Sequence, residues 1–313
     1  MSRDEIQSFL ERKFPGEKIK FVGAGTDSTA FRVGNKICRF PHRDADIYKI
    51  EADLCNFIRP NISVPIPNVE IVQDGKYIFA VHDMIMGNKW SWHKFSWQRA
   101  RQDNLARTYA GFLAELHGVN TNELCHRVPG AAGYIPYCDW DEVKDFLSRF
   151  MTPAQMKCFW RNYLRITGAP IDKNDIVFIH MGMKGANSVV DNDGNICGVF
   201  DFCSGGLYER WRDFVLPYLG RNRALFRQIL REYKRLTGAQ PDPARIADLA
   251  VIEFLWRRRI FPDGKFQPRD DYFIKKNLAV ALARFYRVPK PFYWIIYARM
   301  SLHQRRMARR AAE

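Results

Sequence analysis

The sequence of 313 residues has no apolar run near the roughly 18–20 residues that a membrane-spanning helix needs. Its first residues, Met-Ser-Arg-Asp-Glu, are not those of a signal peptide, so we expect a chain that is neither secreted nor membrane-spanning. The seven cysteines, an odd number without a Cys-x-x-Cys pair, stand at positions 38, 55, 125, 138, 158, 197 and 203. This argues against a disulfide framework or a structural zinc site and predicts a reducing, cytoplasmic location.

The sequence also lacks internal repeats, low-complexity blocks and any helix-turn-helix, zinc-finger or RNP-type signature. It is nevertheless basic, because 49 Lys and Arg against 34 Asp and Glu give a net charge of +15. Residues 287–313 carry seven basic residues and one acid, and so supply +6 of that charge. The aromatic and basic segment 291–310 leaves two interpretations open: peripheral contact with an anionic membrane, or a C-terminal helix packed on the protein.

Length and composition indicate a folded protein of about two domains or lobes, since 47% of the residues are hydrophobic and 27% are charged. The N-terminal part predicts a short helix over 2–13, then apolar strands separated by turns at Gly34-Asn35 and Asp74-Gly75. One stretch of helical spacing, 44–58, interrupts these strands.

From about residue 99 the hydrophobic spacing becomes helical. The predicted helices are 99–118, 140–149, 153–166, 221–237, 243–260 and 270–286. Between them, residues 176–180 and 187–202 predict short strands with a hairpin turn at Asp191-Asn192-Asp193-Gly194. We therefore predict an α+β, two-lobed fold, with a small antiparallel-sheet N-lobe over 1–87 and a mainly helical C-lobe over 88–313.

A glycine-rich turn, Gly23-Ala24-Gly25-Thr26-Asp27-Ser28, lies between two predicted strands. A dinucleotide-binding turn or a Walker loop is followed by a helix, and this turn is not. A glycine hairpin between strands suits another task, in which backbone N–H groups cover the phosphates of a nucleotide. The candidate phosphate-binding residues are Gly23, Gly25, Thr26 and Ser28, and an ordinary hairpin turn is the alternative.

A cation and a carboxylate follow the glycine hairpin in the order that phosphate binding requires. Arg39 lies on the next predicted strand, and Glu51 lies on the helix that interrupts the strands. A guanidinium binds phosphate in bidentate fashion, and a helix carboxylate can hold it in place. The alternative is a surface arginine and a solvated glutamate.

The segment 177–203 holds the most informative motif. A strand leads to a loop with His180, Lys184 and Asn187, and a hairpin then returns to Asp201 at the end of an apolar strand. Amide and carboxylate oxygens suit Mg²⁺, so Asn187 and Asp201 are candidate metal ligands. We assign Lys184 to the charge of the transferred phosphoryl group and His180 to an orienting hydrogen bond. A turn residue and a strand-end cap are the alternatives for Asn187 and Asp201.

Together these motifs resemble the aminoglycoside phosphotransferase and choline kinase-like family, small-molecule kinases with a protein-kinase-like fold. The resemblance covers roughly residues 18–260 and rests on 23–31, Arg39-Phe40-Pro41, Glu51, 81–87, 112–118, 180–187, Asp201-Phe202 and Asp213. It implies ATP or GTP as phosphoryl donor, Mg²⁺ on Asn187 and Asp201, and an antibiotic-, sugar- or choline-like molecule as the hydroxyl-bearing acceptor. It also implies that the backbone of residues 82–85, the hinge, which includes His82 and Met84, binds adenine. Asp213 is then expected to brace the loop after Asp201.

The chain departs from this family at the catalytic aspartate. The family's loop reads His-x-Asp-x-x-x-x-Asn, and where its Asp accepts or orients the substrate hydroxyl, this chain has Gly182. Since a positioned proton acceptor contributes about 10²–10⁴-fold in rate, we expect impaired activity. Three explanations stay open: a pseudoenzyme, another carboxylate such as Asp27 or Asp83 acting instead, or a recent or engineered substitution. The intact Lys184 and metal ligands favour the last.

Two further groups of residues each have two interpretations. Trp90, Trp92 and Trp97 either pack the protein or wall a substrate pocket. The acidic residues at 139–142, 209, 213 and 270–271 are either structural or line the acceptor site.

The leading functional hypothesis is a nucleotide-dependent phosphotransferase. The alternatives are a nucleotide-binding pseudokinase with a regulatory or scaffold role and a basic protein that binds nucleic acid or a membrane through its charge.

Overall fold

The computed structural model describes residues 2–25, 28–42, 45–92, 99–131, 153–220 and 222–250, and the isolated positions 141, 144 and 298. The chain forms two compact units. The first comprises Met1–Tyr134, Val177–Asp213 and Asn222–Gln240; the second comprises Ile135–Ile176, Phe214–Arg221 and Pro241–Glu313. All the candidate phosphate and metal residues belong to the first unit, while the boundary between residues 87 and 88 stays a prediction.

A five-stranded antiparallel sheet forms the N-terminal part of the first unit. Its strands, in the order β1-β2-β3-β5-β4, are β1 (Ile19–Ala24), β2 (Ser28–Val33), β3 (Lys36–Pro41), β4 (Glu70–Asp74) and β5 (Tyr77–Asp83). The turns after β2 and β4 place Gly34 and Gly75 at φ angles of 58° and 56°, which glycine adopts without steric cost. Both predicted hairpins are confirmed.

Two helices accompany this sheet, α1 (Arg3–Lys13) and α2 (Asp46–Ile58). Ile6, Phe9 and Leu10 of α1 join the apolar core of the sheet, where the ring of Phe9 stacks on Tyr77 with centroids 3.9 Å apart. The amphipathic helix α2 buries its apolar face, and this face also carries one carboxylate, Glu51. A buried carboxylate requires a partner, which the site below supplies.

Among the described residues, the helices with complete bounds that follow the sheet are α3 (Arg99–His117), α4 (Thr121–Arg127), α5 (Pro153–Thr167), α6 (Val215–Leu219) and α7 (Arg223–Thr237). Within the first unit, α3 packs against α7. The helices predicted over 99–118, 153–166 and 221–237 are confirmed, whereas α4 and α6 were not predicted. In the described part of the chain, no helix has the length and apolarity needed to cross a membrane.

Some predicted helices lie outside the described residues. These are 140–149, apart from two isolated positions, and 270–286. Of the helix predicted over 243–260, residues 243–250 are described, and they are helical.

Four short strands complete the described structure: β6 (Ile176–Ile179), β7 (Ser188–Val190), β8 (Ile196–Val199) and β9 (Gly206–Glu209). The strands β7 and β8 form the predicted hairpin, and β6 pairs with β9, which was not predicted. The loop 180–187 joins β6 to β7, and Asp201 follows β8.

The Phe9→Ala substitution is expected to lower the free energy of unfolding by about 3–5 kcal/mol, because it removes a buried ring from the core between α1 and the sheet. Denaturant titration followed by circular dichroism measures the change. The control is Ser8→Ala, at an exposed position of the same helix, which should change stability by less than about 0.5 kcal/mol. Equal effects of the two substitutions would contradict the packing of α1.

Candidate active site

The glycine hairpin leaves open space over its backbone. The Gly25 N–H donates to the Ser28 carbonyl at 2.8 Å and closes the turn. Among the described residues, a Cβ added at Gly23 would have no heavy atom within 4 Å, and one at Gly25 would meet only the Ser28 oxygen at 3.9 Å. A ligand can therefore approach this backbone closely, which is what glycine permits. Thr26 and Asp27 lie outside the described residues.

Arg39 and Glu51 form the buried ion pair that their order in the sequence suggested. Arg39 Nη2 donates to Glu51 Oε2, and the guanidinium lies over the ring of Tyr48, 4.9 Å from its centroid. The Glu51 side chain has no exposed surface, and that of Arg39 is 11% exposed. Burial by itself would lower the pKa of Arg39, but the Glu51 carboxylate raises it above its ordinary value. The pair thus keeps a cation beside the glycine hairpin, and the alternative of solvated surface charges is wrong.

Glu51 makes a second contact that the sequence did not indicate. Its Oε1 accepts the backbone N–H of Phe202 at 3.1 Å. One buried carboxylate therefore fixes both the cation on β3 and the turn directly after Asp201.

The two candidate metal ligands lie at the same end of the β7–β8 hairpin. Ser188 pairs with Val199, and the Phe200 N–H donates to the Asn187 carbonyl at 2.9 Å. Asp201 is the next residue along the chain. The hairpin therefore brings together two ligands that are 14 residues apart in the sequence.

The chemistry of this donor pair fits a hard divalent cation. Burial, and then the charge of Glu51, raise the pKa of the Asp201 carboxyl, whereas His180, Arg39 and Lys184 act to lower it. A cation at this position would favour the ionised carboxylate. Asn187 Nδ2 donates to the Gly182 carbonyl at 3.1 Å, while its Oδ1 makes no hydrogen bond to any other described residue. One carboxylate and one amide oxygen match Mg²⁺, which takes its remaining ligands from phosphates and water.

The loop 180–187 is held through its backbone by Asp213. One carboxylate oxygen accepts the His180 N–H at 2.8 Å, and the other accepts the Met181 N–H at 2.7 Å. His117 Nε2 donates to the same carboxylate at 3.2 Å. Burial acts to raise the pKa of Asp213, but the hydrogen bonds from the His117 ring and from the His180 N–H hold the pKa below its usual value. The expected position of Asp213 is corrected: it braces the loop before the hairpin, not the residues after Asp201.

His180 is fully buried and both of its ring nitrogens are used. Nε2 donates to the Phe200 carbonyl at 3.2 Å, and Nδ1 accepts the Gly182 N–H at 3.1 Å. Burial lowers its pKa, which favours the neutral ring. The orienting role is the one that this geometry supports.

Gly182 is buried beside the candidate ligand Asn187. A Cβ at this position would lie 3.0 Å from Asn187 Nδ2 and 3.5 Å from His180 Nδ1. An aspartate here therefore requires the Asn187 amide to shift slightly. Of the two carboxylates considered as substitutes, Asp27 is outside the described residues and Asp83 is exposed at the end of β5.

The hinge after β5 has one backbone donor already in use. The Met84 N–H donates to the Asn35 carbonyl at 2.7 Å and so continues the pairing of β3 with β5. His82 is buried, its Nδ1 donates to the Asp83 carbonyl at 2.9 Å, and burial lowers its pKa. Within the described chain the Ile85 N–H makes no hydrogen bond.

Trp90 packs against the 180–187 loop and the start of β7. It is 5% exposed, and its indole Nε1 donates to Ser188 Oγ at 3.0 Å. Its carbonyl oxygen would lie 1.9 Å from a Cβ at Gly185, so the close approach of the two segments requires glycine. Trp92 packs edge-on against Trp90, while Trp97 is outside the described residues. The packing interpretation therefore holds for Trp90.

Two of the acidic residues considered for the acceptor site are buried. Glu209 and Asp213 are buried, with 4% and 3% of their surface exposed. The residues at 270–271 and most of 139–142 lie outside the described residues.

Comparison with known structures gives the same fold. The chain matches the GDP and kanamycin complex of APH(2")-IIia with a TM-score of 0.71 and 15% identity, over 90% of this chain and 98% of that chain. It matches the streptomycin-ATP-APH(2")-IIa ternary complex with a TM-score of 0.63 and 16% identity, over 91% and 99%. For the macrolide 2'-phosphotransferase MphH from Brachybacterium faecium the TM-score is 0.58 and the identity 16%, over 90% and 97%.

No curated protein matches the chain by sequence. The predicted α+β, protein-kinase-like fold class and the predicted family, a family of small-molecule kinases, are confirmed. The family model matches residues 18–258, most of the sequence, and the chain therefore belongs to the phosphotransferase enzyme family.

Proposed function

We propose that this chain binds Mg²⁺ with ATP or GTP and transfers the γ-phosphoryl group to a hydroxyl of a small molecule. The observation that carries this proposal is the double contact of Glu51. It pairs with Arg39 on the phosphate side and accepts the N–H of Phe202, next to Asp201, on the metal side. Phosphoryl transfer needs a phosphate-binding cation and a metal-binding carboxylate held at one place.

The nucleotide would lie between the glycine hairpin and the hinge. Backbone N–H groups of the hairpin, with Arg39, would hold the phosphates. Because the Met84 N–H is bound to Asn35, the base would take its hydrogen bond from a later hinge donor, such as the Ile85 N–H, which has no partner in the described chain. Nucleotides in similar structures, GDP in one and ATP in another, support a nucleotide donor and leave the base open.

At the phosphates, Asn187 and Asp201 would hold Mg²⁺, which when bound neutralises charge on the β- and γ-phosphates. Lys184 would neutralise the transferred group, and the acceptor hydroxyl would attack in line. Gly182 supplies no side chain where the family's aspartate accepts or orients the proton.

The acceptor would be an antibiotic- or sugar-like molecule rich in hydroxyl groups. The similar structures include complexes with kanamycin and streptomycin and a macrolide 2'-phosphotransferase, which supports this class. A choline-like acceptor, a cytoplasmic location and membrane contact through 291–310 stay predictions, and nearly all of that segment lies outside the described residues.

Gly182 also favours a second candidate function, that of a pseudokinase. Such a protein would bind Mg²⁺ and nucleotide without transferring phosphate, and would act through a partner.

The Gly182→Asp substitution distinguishes these two candidates. We expect it to raise phosphoryl transfer by about 10²–10⁴-fold, because it restores a positioned proton acceptor. The assay measures phosphorylation of kanamycin, streptomycin and a macrolide, and also release of inorganic phosphate, which needs no acceptor.

The control for this experiment is Gly182→Asn, which has the same shape but accepts no proton and should give no gain. If Gly182→Asp binds nucleotide with unchanged affinity and gives no gain in either assay, the pseudokinase is supported and the transferase proposal fails.

Asp201→Asn should weaken nucleotide binding only when Mg²⁺ is present. Asparagine tolerates the left-handed backbone of this position, where φ is 71°, but it lacks the charge that holds the cation. We expect the Kd of Mg·ATP to rise at least about tenfold and the Kd measured in EDTA to stay unchanged, by titration calorimetry. Asp193→Asn, an exposed aspartate of the same hairpin, is the control. Equal weakening in EDTA would count against a metal ligand at 201.

The Glu51→Gln substitution tests the buried pair. Removing one partner leaves the Arg39 charge buried, so we expect a loss of about 3–5 kcal/mol in the free energy of unfolding. The exposed pair of Lys49 with Asp46 gives the control, since Asp46→Asn should cost less than about 1 kcal/mol. Urea titration measures both, and a loss no larger than that of the control would contradict the central role of Glu51.

A further inference from the structure

A tyrosine outside the motifs of the sequence contacts the support of the 180–187 loop. Tyr233, on α7, is fully buried. Its phenolic oxygen lies 2.8 Å from His117 Nδ1, and Arg210 Nη1 donates to the same oxygen at 3.2 Å. The family motifs quoted above do not include this residue.

The hydrogen bonds of this cluster determine where the protons lie. A guanidinium only donates, so the phenolic oxygen accepts from Arg210, and a carboxylate only accepts, so Asp213 requires a hydrogen on the nitrogen of His117 that faces it. In the neutral ring Nδ1 is then the acceptor of the phenolic hydrogen of Tyr233, and the ring carries its hydrogen on Nε2. This nitrogen faces the Asp213 carboxylate, which accepts it at 3.2 Å.

The cluster ends on strained backbone. Asp213 accepts the N–H groups of both His180 and Met181, and Met181 has a φ of 64°, in the left-handed region. A bulky residue in this conformation is strained, and it persists only where its surroundings fix it. Gly182 follows directly.

We propose that Tyr233 is a positioning residue that donates its phenolic hydrogen to His117 Nδ1, holds the ring with Nε2 towards Asp213, and thereby holds the backbone at 180–182 in place. Without the phenolic hydroxyl, Nδ1 loses its hydrogen-bond donor and the His117 ring is held at Nε2 alone. The Nε2 hydrogen bond to Asp213 then weakens, and the carboxylate is held less firmly against the loop. The importance of this loop for catalysis rests on the proposed function. The hydrogen bonds from Tyr233 through His117 and Asp213 to the loop do not depend on it.

The unmodified protein provides the first test, by nitrogen NMR of ¹⁵N-histidine-labelled chain with Mg·ATP absent. His117→Gln identifies the signal among the seven histidines. We expect a neutral ring with its proton on Nε2. A proton on Nδ1 would overturn the proposal, whatever the nucleotide assays show.

The second test is hydrogen exchange in Tyr233→Phe, which removes only the hydroxyl. We expect exchange of the amides at 180–182 to accelerate about tenfold or more, as for the loss of a buried hydrogen bond, and exchange in β3 and β5 to change by less than about twofold. Tyr77→Phe removes the same atom from the core of the same unit and should leave the loop unchanged. A uniform acceleration would indicate a merely structural tyrosine and would overturn the proposal.

A double-mutant comparison tests whether Tyr233 acts through His117. Glutamine at 117 can donate to Asp213 but has no ring nitrogen to accept the phenolic hydrogen, so Tyr233→Phe should have little effect on loop exchange in the His117→Gln background. The same acceleration in both backgrounds would show that Tyr233 does not act through His117. Mg·ATP binding of the unmodified chain is measured separately, so that a failure of the proposed function is distinguished from a failure of this inference.

Discussion

The site depends on one buried carboxylate with two partners. Glu51 neutralises Arg39 and receives the N–H of Phe202, so the sheet, helix α2 and the turn after Asp201 meet at a single side chain. Neither charge is stable in this interior without the other, because removing an ion from water costs several kcal/mol. The requirement to pair them fixes the position of Arg39 on β3 relative to the turn after Asp201.

A second constraint holds the loop that carries Gly182 and Asn187. Its first half is bound through backbone N–H groups to Asp213, and its second half is held by Trp90 and by Tyr109, whose hydroxyl donates to the Met183 carbonyl at 3.1 Å. This support involves backbone atoms, and so it does not depend on the side chain at position 182. The loop therefore keeps its conformation although the aspartate is missing, which is why a single substitution can test catalysis.

The fold was largely predictable, because local signals agreed with the tertiary structure. Turn glycines and apolar strand segments predicted the sheet, and the spacing of hydrophobic residues predicted α2 and α3. The short elements α4, α6 and β9 were missed, since a few residues carry too little periodicity. Among the site residues, the pairing of Arg39 with Glu51 followed from their order. The contact of Glu51 with Phe202 did not, because a backbone N–H leaves no trace in the sequence.

By itself the sequence determined which groups are present: a glycine hairpin, an arginine followed by a helix carboxylate, candidate oxygen ligands for a metal, and glycine where the family has its catalytic aspartate. Only the tertiary structure decided how these groups are held. In the folded chain, Asp213 accepts the backbone N–H groups of residues 180 and 181, the Met84 N–H donates to a carbonyl of the neighbouring strand segment, and Tyr233 contacts His117. Such assignments depend on hydrogen bonds between residues up to 116 positions apart, and their geometry exists only after the chain has packed.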